Sequence, residues 1–199
     1  MPTKLNWLWV HDLALTRSTA EYGGCLWNVD AVVTVSAWQA NQYQEVHGKA
    51  PHLYYPSRNG IDLARIDAVP DQARRRNAII YAARPERGLD ILIDNVFPKI
   101  LEKIPDAVLQ VCGYDNTVPE MADFYGYLHR KAKELGPRGE WLGALNKGTL
   151  YARYKAAGLY AYPTPSPTAM AFREVSCISA MEAMACGLPV IVTTDCVSN

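Results

Sequence analysis

Residues 78–101 read AIIYAARPERGLDILIDNVFPKIL, and the fold class turns on this stretch. Ala78 to Ala83 is a short apolar run of the kind that forms a buried strand. Leu89, Leu92, Ile93, Val96, Ile100 and Leu101 then recur at helical spacing and place one apolar face on a helix, which Pro98 is expected to kink. Ala107 to Gly113 supplies a second strand, so the segment has the form of a βαβ unit and implies a parallel sheet.

The alternation continues toward the C-terminus. Met121, Phe124, Tyr125, Leu128, Ala132 and Leu135 mark a second amphipathic helix, which ends at the Gly136-Pro137-Arg138-Gly139 breaker. A third short strand is expected at Glu140 to Gly143, a brief helix around Leu150, Tyr151 and Tyr154, and a fourth strand at Leu159 to Tyr162. A proline-rich loop from Pro163 to Pro167, a helix from Ser176 to Cys186 and a fifth strand from Pro189 to Thr193 complete the pattern. Gly187 stands where a helix C-cap glycine belongs. Together these elements predict an α/β, Rossmann-like, doubly wound parallel sheet over residues 60–199.

The first 59 residues offer less. Strands are expected at Leu5 to Val10, Ala31 to Val35 and Leu53 to Tyr55, with a helix through Trp38 to Val46. The turn formers Pro56-Ser57-Arg58-Asn59-Gly60 mark the boundary between this partial segment and the larger domain. The charge run Arg74-Arg75-Arg76 reads as a solvated helix end.

Composition narrows the function classes. Of 199 residues, 49% are hydrophobic and 20% charged, and twenty basic residues balance twenty acidic ones. That balance provides no bulk basic field for nucleic acid or an anionic membrane, so an anion must be bound locally. Cys25, Cys112, Cys177, Cys186 and Cys196 form no Cys-x-x-Cys pair and have no histidine at metal-ligand spacing, which points to free thiols in a reducing, cytoplasmic setting, and the lack of an Asp-x-Asp motif implies no metal. The longest apolar runs are far below the ~18 residues a membrane helix needs.

Two carboxylates carry the chemical signal. Glu174 lies just ahead of a predicted helix and Glu182 eight residues later inside it, followed by Ala183-Met184-Ala185-Cys186-Gly187-Leu188-Pro189-Val190. A glutamate near a helix N-terminus is favourable through the dipole alone, whereas a mid-helix carboxylate among apolar residues needs a partner. The pattern resembles the Glu-x7-Glu motif of the retaining nucleotide-sugar glycosyltransferases of family 4 (group 1). Asn59-Gly60-Ile61-Asp62 resembles that family's interdomain linker, Arg84-Pro85-Glu86-Arg87-Gly88-Leu89 its phosphate segment, and Trp141-Leu142-Gly143 its Phe-Leu-Gly strand.

The resemblance implies a GT-B fold, with a partial acceptor-side segment at 1–59 and a donor-binding domain at 60–199 that lacks its C-terminal end. It implies a nucleoside diphosphate sugar as donor substrate with no other cofactor, and an acceptor of unspecified kind, glycan, lipid or protein. Glu182 would hold the ribose diol through its two acceptor oxygens. Glu174 would reach the transferred sugar, Arg87 and Arg84 the phosphates, and His11, at the end of the first strand, the acceptor side. Backbone N–H groups at Ser176, Cys177 and Ile178 would meet the phosphate at a helix N-terminus, although Val175-Ser176-Cys177 stands where the family commonly has Gly-Phe-Gly. Cys177 has no neighbouring histidine to make it a nucleophile.

Two functions from different classes follow. One is a retaining, hexosyltransferase-like glycosyltransferase; the other is a non-catalytic nucleotide-sugar-binding or interaction module. Measured against the family, the acceptor half is short. Exposed Trp7, Trp9 and Val33 are therefore expected to favour self-association or a partner chain that completes it.

Overall fold

The computed structural model describes residues 5–14, 25–48, 53–113, 119–164 and 173–193. Cys196 and the Pro165–Pro167 part of the expected loop lie outside these residues. The described chain divides into two units: one gathers residues up to Gly60 together with Arg173–Cys177, the other Ile61 onward together with Ile178–Thr193.

In the first unit three short parallel strands, β1 (Trp7–Trp9), β2 (Ala31–Thr34) and β3 (Tyr54–Pro56), pair in that order. Helix α1 (Ala37–His47) begins where the Ser36 hydroxyl accepts the Gln39 N–H at 3.1 Å and ends at Gly48, whose φ of 60° is left-handed. Two buried glutamines tie this helix to nearby chain. Gln39 accepts from the Val35 N–H and donates to the Asp12 carbonyl, and Gln42 accepts from the Ala14 N–H. The core is small: Val10, Ala14, Leu26, Val32, Ala40, Tyr43 and Tyr54. Trp7 and Trp9 are exposed as expected, at 66% and 58%, while Val33 is only half-exposed.

The second unit opens with a short helix absent from the sequence pattern, α2 (Leu63–Asp67), capped by the Asp62 carboxylate on the Arg65 N–H. Strand β4 (Arg75–Ala82) leads to α3 (Leu89–Ile91), a π-turn (Leu92–Val96) and α4 (Phe97–Lys103). The remaining elements are β5 (Val108–Cys112), α5 (Ala122–Glu134), β6 (Gly139–Trp141), α6 (Lys147–Ala156), β7 (Ala157–Tyr162), α7 (Ile178–Ala185) and β8 (Val190–Val192).

The five strands are all parallel and run β6-β5-β4-β7-β8. The chain winds outward from β4 to β6, returns across the sheet, and winds the other way through β7 to β8. With right-handed crossovers this puts helices on both faces, the doubly wound arrangement. Every residue of β5 is buried, as is Ala78 to Ala82 of β4, which is why these strands read as apolar runs without alternation.

The expected kink before Pro98 takes the form of the π-turn. Proline has no N–H to return to the preceding turn, so the ladder widens just ahead of it, and Phe97 joins Leu89, Leu92 and Ile93 in the core. The arginine run is not a solvated helix end. It opens β4: Arg75 pairs with Glu140 at 3.0 Å, and Arg74 donates to the Gly187 carbonyl at 2.7 Å, satisfying the end of α7.

Candidate functional site

In a doubly wound sheet ligands bind beyond the carboxyl ends of the strands, where the winding reverses, here between β4 and β7. The turn after β4 contains Arg84, Pro85, Glu86, Arg87 and Gly88. Gly88 has a φ of 96°, and a Cβ there would lie 1.5 Å from the carbonyl oxygen of Pro163, the residue after β7. Only glycine lets the two loops meet so closely at the reversal point.

This turn presents the two arginines. Arg84 is exposed and pairs loosely with Glu86 at 3.8 Å. Glu86 also accepts the Tyr125 hydroxyl at 2.6 Å. Burial and that hydrogen bond push the Tyr125 pKa well up, so the phenol stays a donor. The Tyr81 hydroxyl, on β4, donates to the Arg84 carbonyl at 2.7 Å and fixes the turn from below. Arg87 is half-buried two residues C-terminal to Pro85.

Glu182 lies one turn inside α7 and is 4% exposed. Its partners come from α6. The Lys147 ammonium donates to Oε1 at 2.6 Å and to Oε2 at 2.7 Å, and the Tyr151 hydroxyl donates to Oε1 at 2.7 Å. Lys147 and Tyr151 are four residues apart and therefore share one face of their helix. Burial, then donation to Glu182, pushes the Tyr151 pKa up to about 12, which keeps it a donor through the physiological range. A carboxylate has about four acceptor positions, and three of them are taken. The structure thus leaves Glu182 a single open position, on Oε2, rather than two free oxygens for a diol.

Lys147 and Tyr151 were not among the sequence-predicted site residues. One signal was available: Lys147 is the first residue of a helix, where a cation opposes the dipole unless an anion is close. The anion is Glu182, 35 residues away in sequence.

Helix α7 begins at Ile178, not Ser176, so Ser176 and Cys177 precede it as loop. Ile178 is exposed at that helix's start, and the Tyr160 and Ser179 hydroxyls hydrogen-bond at 2.8 Å beneath it. Glu174, Ser176 and Cys177 belong to the first unit. There the Glu174 carboxylate accepts the Ser176 N–H at 3.2 Å, and the Asn59 amide donates to the Ser176 carbonyl at 3.2 Å. His11 is exposed just beyond β1, its ring 5.2 Å from that of Trp9.

Among the described residues no group of three or more His, Cys, Asp or Glu is placed to hold a metal ion, and no helix is long and apolar enough to cross a membrane. Cys112 and Cys186 are buried free thiols, and burial pushes Cys112 up to about 12.

The chain is similar to several solved structures. Anabaena HepE in complex with UDP-glucose superposes with a TM-score of 0.65 at 19% identity, over 94% of this chain and 53% of that one. S. aureus TarM gives 0.68 at 14%, over 94% and 36%. The pneumococcal O-GlcNAc transferase GtfA in complex with UDP and GlcNAc gives 0.62 at 20%, over 94% and 37%. The chain therefore spans about half of HepE and little more than a third of the other two. These likenesses establish the GT-B glycosyltransferase fold. No protein in the curated set matches the sequence. The family model for glycosyl transferases group 1 matches residues 65–198, two thirds of the chain, and the chain belongs to that family.

Proposed function

We propose that this chain binds a uridine diphosphate sugar and, with an acceptor in place, transfers the sugar with retention of configuration. The observation that carries the reading is Glu182: a buried carboxylate, held by two donors, on the helix after β7 of a group 1 glycosyl transferase domain. The choice of uridine follows HepE and GtfA, whose structures hold UDP-glucose and UDP.

In this reading Glu182 receives the ribose, and Arg87, from the turn after β4, meets the diphosphate, with Arg84 as its exposed neighbour. As the sugar–phosphate bond breaks, the sugar gains oxocarbenium character and the distal phosphate gains charge, so a fixed cation stabilises the transition state. Glu174 addresses hydroxyls of the transferred sugar and His11 the acceptor side. The N–H groups of Ser176, Cys177 and Ile178 would turn to the phosphate, and that of Ser176 must first leave Glu174. The acceptor is a glycan, lipid or protein hydroxyl. A second copy or a partner chain over Trp7 and Trp9 completes the acceptor side. A reducing cytoplasmic setting fits the free thiols Cys112 and Cys186.

Calorimetry with UDP, GDP and ADP tests the reading. UDP binds best, and Glu182→Gln weakens it by about 1–3 kcal/mol. Absence of binding by all three at millimolar concentration rejects the proposal. Binding of UDP-sugar without transfer or hydrolysis selects the non-catalytic module instead.

A further inference from the structure

The ion pair of Glu182 and Lys147 is asymmetric. The Glu182 side chain is 5% exposed and the Lys147 side chain 43%. Glu182 has three of about four acceptor positions filled by Lys147 and Tyr151. Two contacts to Glu182 account for two of the three N–H groups of the Lys147 ammonium, on a side chain that stays 43% exposed. Lys147 is also anchored in place: Asn146 caps α6 through the Thr149 N–H at 2.9 Å, and the ammonium lies 5.8 Å from the centre of the Tyr151 ring. By count, the pair keeps one acceptor position on Oε2 of Glu182 beside one N–H on Nζ of Lys147.

We propose that Lys147 is a second ribose ligand, and that the vicinal diol is read by a donor–acceptor pair rather than by a carboxylate alone. One hydroxyl donates to Oε2 of Glu182; the other accepts from Lys147. Both hydroxyls are satisfied without removing either partner from the buried carboxylate, whose desolvation would otherwise be uncompensated. A diol matches this pair because each hydroxyl can act as donor or acceptor. A ribose lacking one hydroxyl leaves a member of the pair unpaired. The inference rests on the reading of Glu182 as the ribose ligand and adds the residue that shares the sugar with it.

The test is the affinity of the whole chain for UDP, 2′-deoxy-UDP and 3′-deoxy-UDP, in the wild type, Lys147→Met and Lys147→Gln. The wild type favours UDP over each deoxy analogue by about tenfold or more. Lys147→Met loses about that factor for UDP and no longer discriminates against one of the two analogues. Lys147→Gln, which keeps an N–H donor, retains part of that discrimination. A Lys147→Met chain with the wild-type ratios for both analogues reduces Lys147 to a positioning residue for Glu182 and overturns the proposal. If the Met variant does not fold, the wild type alone decides. UDP protects Lys147 from amine acylation, and 2′,3′-dideoxy-UDP at equal occupancy does not; equal protection by both overturns the proposal. A wild type that binds no UDP at all overturns the ribose reading itself.

Discussion

The two units use the same elements, parallel strands and helices, to different depths. The five-stranded sheet has β4, β5 and β7 flanked by other strands, and its central residues are sealed on both faces. The three-stranded sheet leaves Trp7 and Trp9 on its edge strand in solvent, and its core is a handful of side chains around α1. Parallel strands require cover on both faces, and among the described residues β5 and most of β4 in the larger unit have it, while β1 leaves its tryptophans bare. The functional side chains follow the same division. Glu182, Lys147 and Tyr151 form a locked, mostly buried cluster in the larger unit, whereas His11 stands exposed beyond a three-residue strand. Depth of burial permits a charge to be fixed in position; a shallow sheet can only display one.

The largest effect should come from glycines that look alike in sequence. Gly88 and Gly48 both have positive φ, 96° and 60°, but a Cβ at Gly88 overlaps the Pro163 carbonyl while one at Gly48 meets open space. Gly88→Ala combines backbone strain with a clash between two loops of the larger unit and should cost more than about 3 kcal/mol. Gly48→Ala carries the left-handed strain alone, about 1–2 kcal/mol. Urea denaturation of both variants measures the gap, and equal losses would mean that the reversal point of the large sheet is less tightly closed than its geometry.

The units also differ in their response to pH. In the larger unit burial raises Cys112 from 9 to about 12, and burial with donation to Glu182 raises Tyr151 from 10 to about 12. Both groups are neutral when protonated, and the folded state holds their protons more tightly than the unfolded chain. Their contribution is complete below pH 9 and is lost as pH rises from 9 toward 12. In the smaller unit burial lowers His47 below 6.5, so its contribution is present above that pH and is lost as the solution becomes more acid. Tyr54, raised by burial, adds an alkaline component there. Urea midpoints at pH 5, 7, 9 and 11 should fall at the alkaline end, and the double variant Cys112→Val, Tyr151→Phe should flatten that fall. An unchanged alkaline slope in the double variant would place the loss elsewhere.

Much of the larger unit was legible because a buried parallel strand and an amphipathic helix each leave a local mark. Ala78 to Ala82 and the Tyr125, Leu128, Ala132 face are readable from a dozen residues of sequence. Glu182 was legible as a carboxylate in an apolar helix. Its partners were barely so: Lys147 at a helix start calls for an anion, but nothing on that helix says that the anion is Glu182, 35 residues away, and Tyr151 reads as an ordinary core aromatic. Arg74 and Arg75 went astray for the same reason. A charge run looks alike at a helix end and at a strand start, and only the distant Gly187 carbonyl and Glu140 distinguish the two. The membership of Arg173–Cys177 in the first unit, with Arg173 over the Trp38 ring at 5.9 Å, leaves no local trace at all.

The smallest expected effect separates stability from binding. Each unit has a helix with a side-chain N-cap: Ser36 accepts the Gln39 N–H ahead of α1, and Asn146 accepts the Thr149 N–H ahead of α6. Ser36→Ala and Asn146→Ala each remove one such bond and should each cost about 1 kcal/mol. Their consequences for the nucleotide differ, because Asn146 fixes the turn that carries Lys147 and Ser36 fixes a turn that carries no ribose contact. A frayed first turn lets the Lys147 ammonium wander from Glu182, which loosens the pair before any global unfolding. Asn146→Ala should therefore weaken UDP by a few-fold in proportion to the population of the frayed turn, while Ser36→Ala leaves UDP affinity unchanged at equal loss of stability. Calorimetry well below the unfolding midpoint checks both. Equal weakening by the two caps would show that binding follows overall stability, and that the Lys147 turn has no privileged place in the site.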